Sequence, residues 1–137
     1  MVTDVVRVLG LYETNIRTQR DLALLAEKGI PRLAVESLAR HFSVNSKDLA
    51  AYLNVTLRSI QGYKKHDLLS SNISDHLIQL AKLYVMGESA LGGEAFKEWL
   101  QLYNPALGIR PVELLKTATG IETVKDELIR IEHGVFA

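Results

Sequence analysis

Residues 46–66, SKDLAAYLNVTLRSIQGYKKH, decide the fold. Leu49, Ala50, Leu53, Val55 and Ile60 have the spacing of two short helices crossing over a shared core, with a sharp turn at Asn54. This is the pattern of a helix-turn-helix. Ala50 suits the crossing because a large side chain there would push two close backbones apart. Asn54 suits the turn because a short polar side chain tolerates the left-handed backbone conformation better than most residues. Thr56 stands where an N-cap belongs, its hydroxyl able to accept from the orphan amides of the next turn. The second helix, over about 57–65, is then the candidate for the DNA major groove.

Outward from that stretch, charge is unevenly spread although the chain as a whole balances at zero. Residues 32–66 hold Arg32, Arg40, Lys47, Arg58, Lys64 and Lys65 against Glu36 and Asp48, a net +4. Residues 67–137 hold six basic and ten acidic residues, a net −4, and residues 1–31 carry four of each. A basic reader joined to an acidic module suits a protein with two partners; charges scattered to keep helical faces wet are the plainer alternative. At 137 residues the chain is long enough for one compact domain, or for two small helical subdomains sharing a core. With no cysteine, disulfides, thiolate metal sites and cysteine nucleophiles are all excluded. Residues 1–11 are too short to span a bilayer and, with Asp4 and Arg7, lack a signal-peptide layout, so no membrane association and a cytoplasmic location are expected.

The remaining segments read as helices. Residues 1–15 fit a short strand or the first turns of a helix equally well, because Val5, Val6 and Val8 are β-branched. Thr18 is placed to cap a helix over 19–28 that carries Leu22, Leu25 and Ala26 and stops at Gly29. Pro31, at a first helical position, is expected to open another helix to about Phe42, with Ala34, Val35, Leu38 and Phe42 on one face. A long helix over 71–89, capped by Ser70, buries Ile73, Leu77, Leu80, Ala81 and Tyr84 and ends at Gly92-Gly93. A shorter one over 94–103 sets Phe96, Trp99 and Tyr103 in the core. Asn104 to Gly108 is turn chemistry, since Pro105 bars Asn104 from the helical region. Pro111 opens a brief helical turn to Leu115, and Thr117 caps a last helix whose Ile121, Val124, Leu128 and Ile131 recur at helical spacing up to Gly134. The fold class is all-α with about seven helices. It divides into residues 1–28, a helix-turn-helix region 29–67 and a C-terminal region 68–137.

Catalysis is not supported. His41, His66, His76 and His133 lack ligand spacing on one helix face, and no carboxylate pair, phosphate loop or nucleophile motif accompanies them. No cofactor or metal is expected. For DNA, Thr56, Leu57, Arg58 and Gln61 stand at the start and outer face of the second helix, where Arg58 or Gln61 can make bidentate base contacts worth about 1–3 kcal/mol of discrimination. Lys64 and Lys65, at its far end, suit phosphates. Gly62, at about 1 kcal/mol against alanine in a helix interior, weighs toward a unit kept only for packing. Helix-turn-helix modules read half-sites in pairs, so a homodimer is expected.

Trp99-Leu100, Asn104-Pro105-Ala106-Leu107-Gly108, Pro111-Val112-Glu113-Leu114-Leu115, Thr119-Gly120 and Arg130-Ile131-Glu132-His133-Gly134-Val135-Phe136-Ala137 occur in that order. This series resembles the Xre/MbcA/ParS antitoxin family, with the resemblance running from about Gly29 onward. Ile109 departs from the family, which usually has a second glycine there, and so does Gly62, where a basic residue is common. The resemblance implies an antitoxin commonly paired with a RES-domain toxin that destroys NAD. Its C-terminal domain would cover the toxin while its helix-turn-helix represses the shared operon. A helix stopping at Gly134 and followed by Phe136 suggests a short plug with an aromatic anchor. Toxin contacts are therefore expected at Arg130, Glu132, His133, Gly134, Val135, Phe136 and Ala137; a Phe136 folded onto its own core is the alternative. A dimeric helix-turn-helix regulator with no toxin partner is the other functional reading.

Overall fold

The computed structural model describes residues 1–12 and 15–134. Among them are α1 (Val2–Val8), α2 (Gln19–Lys28), α3 (Leu33–Phe42), α4 (Ser46–Tyr52), α5 (Leu57–Gln61), α6 (Ser71–Leu91), α7 (Gly93–Gln101) and α8 (Ala118–Gly134). A 3-10 turn, Pro111–Leu114, precedes α8, and the described residues form no strand. The all-α expectation holds, with one helix more than expected.

The central element is α6, which packs against α1, α2, α3, α7 and α8. Its length follows from a Ser70 cap, whose hydroxyl accepts from Ile73 N at 3.3 Å, and from the absence of glycine or proline before Gly87. Leu77, Ile78, Leu80, Ala81, Leu83 and Tyr84 are all buried, a set wider than one amphipathic stripe, as a helix covered on several sides requires. Buried hydroxyls tie neighbours to it and to each other. Ser74 Oγ accepts from Ile30 N at 2.8 Å, and Ser37 Oγ donates to the Val8 carbonyl at 2.9 Å. Each satisfies a backbone group that burial would otherwise leave unpaired.

Of the ambiguous N-terminal segment, Val2–Val8 is helical. Val5, Val8 and Leu9 are completely buried, and this packing overrides the weak helix propensity of valine. Gly10, at φ +69°, ends α1 with bonds from its own N to Arg7 O and from Leu11 N to Val6 O. A Cβ there would stand 2.7 Å from Ser37 Oγ, so α1 and α3 meet over a position that only glycine fits.

Two boundaries differ from expectation for one reason. Pro31 does not open α3; it forms an antiparallel bridge with Leu68, and the helix begins at Leu33. The loop after α5 folds back onto residues 30–33, with Arg32 N donating to Asp67 O at 2.9 Å, Leu33 N to Lys65 O at 3.0 Å and Leu69 N to Ile30 O at 2.9 Å. Amides at the start of α3 are therefore satisfied from a distant segment rather than by a side-chain cap. The same detour shortens α5, which ends at Gln61 instead of Lys65. Lys64 and Lys65 lie in a turn closed by Lys64 N donating to Asp67 Oδ2 at 2.8 Å. Gly62 is thus the C-cap and not an interior helix residue, so it does not carry the full interior penalty.

Toward the C-terminus, Asn104 Oδ1 accepts from Ala106 N and Leu107 N, and Asn104 N donates to Ile109 O. Ile109 in place of a second glycine is accommodated, because Gly108 at φ +72° alone supplies the left-handed turn. Tyr103 is 66% exposed and does not join the core. The cause is that α7 stops at Gln101, with Leu102 already extended, so Tyr103 loses the helical register that buries Phe96.

Candidate functional site

The helix-turn-helix is built from α4, a three-step reversal and α5. Asn45 caps α4 by accepting from Asp48 N at 2.8 Å. At its other end Val55 N donates to Ala50 O and Asn54 N to Ala51 O, both at 3.0 Å, around Asn54 at φ +58°. This paired closure is the glycine-type helix stop, here made with asparagine. Thr56 Oγ1 then accepts from Ser59 N at 3.1 Å and starts α5. Leu49, Ala50, Leu53 and Ile60 are buried beneath the crossing.

With those four side chains turned inward, the opposite surface of the unit is polar. Thr56, Arg58 and Gln61 are exposed and Leu57 is half-buried, so the sequence-predicted base-contacting residues stand together at the start and along the face of α5. Lys64 and Lys65 are exposed but leave the helix with the turn that follows it. Their placement beside the N-terminus of α3 was not foreseeable from spacing within residues 46–66.

The second predicted surface is the last turn of α8. Arg130, Glu132, His133 and Gly134 are all exposed there; Val135, Phe136 and Ala137 lie outside the described residues. These side chains do not form one cluster. Arg130 and Gly134 share a stripe, one helical turn apart, whereas Glu132 borders a recess of about 360 Å³ with Met1, Val85 and Met86. Arg130 is engaged within its own helix, its guanidinium donating through Nε and Nη2 to both oxygens of Glu127. These bonds raise the pKa of Arg130 and hold it protonated. Glu127, buried at 7% exposure, carries no periodicity signal and was missed by pattern reading. A charged residue interrupting an apolar stripe three residues before an arginine is the clue that could have found it.

Two histidines have structural partners. The His76 ring lies with Nε2 2.8 Å from Leu115 O, and the His41 ring with Nδ1 2.9 Å from Ser37 O. Facing a carbonyl, each of these nitrogens carries the proton and donates. Among the described residues no group of three or more His, Cys, Asp or Glu is arranged to hold a metal ion, and no helix is long and apolar enough to cross a membrane.

The C-terminal region owes its shape to one close approach. Gly120 follows Thr117, whose hydroxyl accepts from Gly120 N at 3.0 Å. A Cβ on Gly120 would stand 1.9 Å from the Leu114 carbonyl oxygen, so the Thr-x-x-Gly spacing lets α8 start directly against the 3-10 turn.

Comparison with known proteins gives two matches along the chain. Residues 21–82 match the antitoxin Xre-like helix-turn-helix domain, and residues 86–134 match the antitoxin Xre/MbcA/ParS C-terminal toxin-binding domain. Both matches reach into α6, so the two regions are joined by a continuous helix and not by a linker. The chain is also similar to a probable mycobacterial cidal antitoxin of Mycobacterium tuberculosis. The two are 27% identical over 95 residues, which is 69% of this chain and 82% of the relative.

Proposed function

The chain belongs to the Xre/MbcA/ParS antitoxin family, and on that premise we propose that it is the antitoxin of a two-component module that inhibits a RES-type, NAD-degrading toxin and represses its own operon. In this reading residues 29–67 bind operator DNA, residues 68–137 cover the toxin, and residues 1–28 pack against both. The protein is a cytoplasmic homodimer that binds and does not catalyse. The observation that carries the proposal is the complete helix-turn-helix, with Thr56, Arg58 and Gln61 exposed, packed on α3, which in turn packs on the same α6 that the toxin-binding match enters. Base readout falls to Arg58 and Gln61 and backbone contact to Lys64 and Lys65. On the toxin side, the proposed contacts are Arg130, Glu132, His133 and Gly134, exposed around the last turn of α8, together with Val135, Phe136 and Ala137, with Phe136 as the aromatic anchor.

The test is co-purification from the native host followed by an NAD-consumption assay on the refolded partner alone. A stoichiometric partner that consumes NAD and is silenced when this chain is added back supports both the antitoxin role and the RES pairing. A partner without that activity removes the RES pairing. Truncation after Gly134 distinguishes the tail: toxicity should return in the host while operator binding persists. Unchanged inhibition would remove Phe136 as the anchor, and recovery of DNA with no protein partner would favour a plain dimeric regulator.

A further inference from the structure

Between the end of α1, the outer stripe of α3 and the loop after α5 lies a groove of about 500 Å³. Arg32 and Arg40 reach it from the start and the outer face of α3, and Lys65 and His66 reach it from the loop. Its carboxylate, Glu36, is already engaged, with Oε1 3.1 Å from Arg32 Nη2. Arg32 Nη1 donates to the Tyr63 carbonyl at 3.2 Å. This ion pair therefore forms a fixed floor whose charges cancel. Arg40 and Lys65 are left as two uncompensated positive charges, because no hydrogen bond or ion pair among the described residues engages either side chain or that of His66. Arg32 Nε is buried with no hydrogen-bond partner, and so is Glu36 Oε2.

A concave site lined by an unpartnered guanidinium and an unpartnered ammonium group, over a neutral ion pair, is complementary to an oxyanion such as phosphate. Chain continuity indicates which phosphate. Lys65 lies four residues beyond Gln61, so at about 3.5 Å per residue its backbone is within about 14 Å of the end of α5. That upper limit is comparable to the roughly 12 Å width of the major groove, so Lys65 stays close enough to α5 to meet the strand that flanks the bases it contacts. The backbone bonds from Leu33 N to Lys65 O and from Arg32 N to Asp67 O fix the loop to α3, so Lys65 and Arg40 are presented as one preorganised unit.

We infer that this groove receives a backbone phosphate of the DNA strand flanking the bases read by α5, which extends the DNA contact beyond the helix-turn-helix to Arg40 and His66. The inference rests on the DNA-binding part of the function proposed above. It is tested on the full chain by fluorescence anisotropy with a duplex from its own promoter and a scrambled duplex, each measured from 50 to 200 mM salt. Arg40→Gln and Lys65→Gln should each lower the slope of log affinity against log salt by about 0.9, equally on both duplexes. The shortfall in affinity of each variant should shrink about threefold to fourfold across that salt range. Arg40→Lys should restore the slope, and Lys116→Gln, in the C-terminal region, should leave it unchanged.

An Arg40→Gln/Lys65→Gln double variant that melts like the wild type and keeps the wild-type slope overturns the inference while leaving DNA binding by α5 intact. So does a His66 imidazole resonance that moves with millimolar inorganic phosphate while the double variant keeps that slope, since the groove would then hold free anions. A wild-type chain that binds neither duplex overturns the repressor reading, and this inference with it.

Discussion

A single methyl group at position 87 tests how closely α6 and α7 approach. In an ordinary helix interior, glycine to alanine is stabilising by about 1 kcal/mol. Here a Cβ would stand 2.2 Å from Phe96 Cδ1, 2.3 Å from Cε1 and 2.5 Å from Cγ. Ordinary van der Waals contact begins at 3.4 Å, so ring and helix must separate by about an ångström. Phe96 cannot swing aside, because it is fully buried with Tyr84, Trp99 and Phe42 ring centroids at 6.0, 6.2 and 6.3 Å. Overpacking of this kind costs about 2–3 kcal/mol, the upper part of its usual range. Subtracting the helix-propensity gain leaves Gly87→Ala destabilised by about 1–2 kcal/mol, or roughly 3–8 °C in Tm for a domain of this size. Urea unfolding followed through Trp99 is the assay. It is the only tryptophan, and it stacks on Phe96 at an interplanar angle of 25°, so its emission also reports displacement in the folded state. Phe96→Leu in the Gly87→Ala background should cost less than Phe96→Leu alone, as expected for directly coupled sites. A Gly87→Ala protein more stable than wild type by about 1 kcal/mol, the ordinary helix gain, with unchanged native emission, would refute the tight packing.

Gly62→Ala makes the opposite prediction. With the nearest atom, Ser59 O, at 3.6 Å and φ at −68°, alanine fits, and thermal melts should show stabilisation of up to about 1 kcal/mol. Arg58→Ala should reduce discrimination between the operator and single-base variants by about 1–3 kcal/mol in competition binding, with thermal stability unchanged. Asp21 predicts a pH effect. Its carboxylate accepts from Arg17 N at 2.9 Å and Thr18 N at 3.0 Å, and these bonds hold its pKa below the ordinary 3.8. A depressed folded-state pKa contributes stability that is complete above the ordinary carboxylate value and is lost as pH falls through the lowered one. Asp21→Asn should therefore melt below the wild type at pH 7, and the difference should narrow on acidification below about pH 4.

Much of the fold was legible because local chemistry and the final structure agree. Thr18, Ser70 and Thr56 cap the helices they were expected to cap, and Asn54 takes the left-handed turn between α4 and α5. Capping and turn formation are interactions over three or four residues, so residue types and spacing suffice. The exposed face of α5 follows in the same way, since burying Leu49, Ala50, Leu53 and Ile60 leaves Thr56, Arg58 and Gln61 outward.

By itself, then, the sequence determined the helical class, the helix-turn-helix and its caps, and the family of its C-terminal region. The tertiary structure alone decided features that depend on partners far along the chain. Residues 2–8 became helical because Val5, Val8 and the adjoining Leu9 are buried. The loop after α5 took over the first amides of α3, which moved the helix start past Pro31 and brought Lys65 to the groove that Arg40 also lines. Local propensities differ by less than about 1 kcal/mol per residue. Burial of whole side chains and satisfaction of buried amides are worth more, and they depend on neighbours that spacing along the chain does not name.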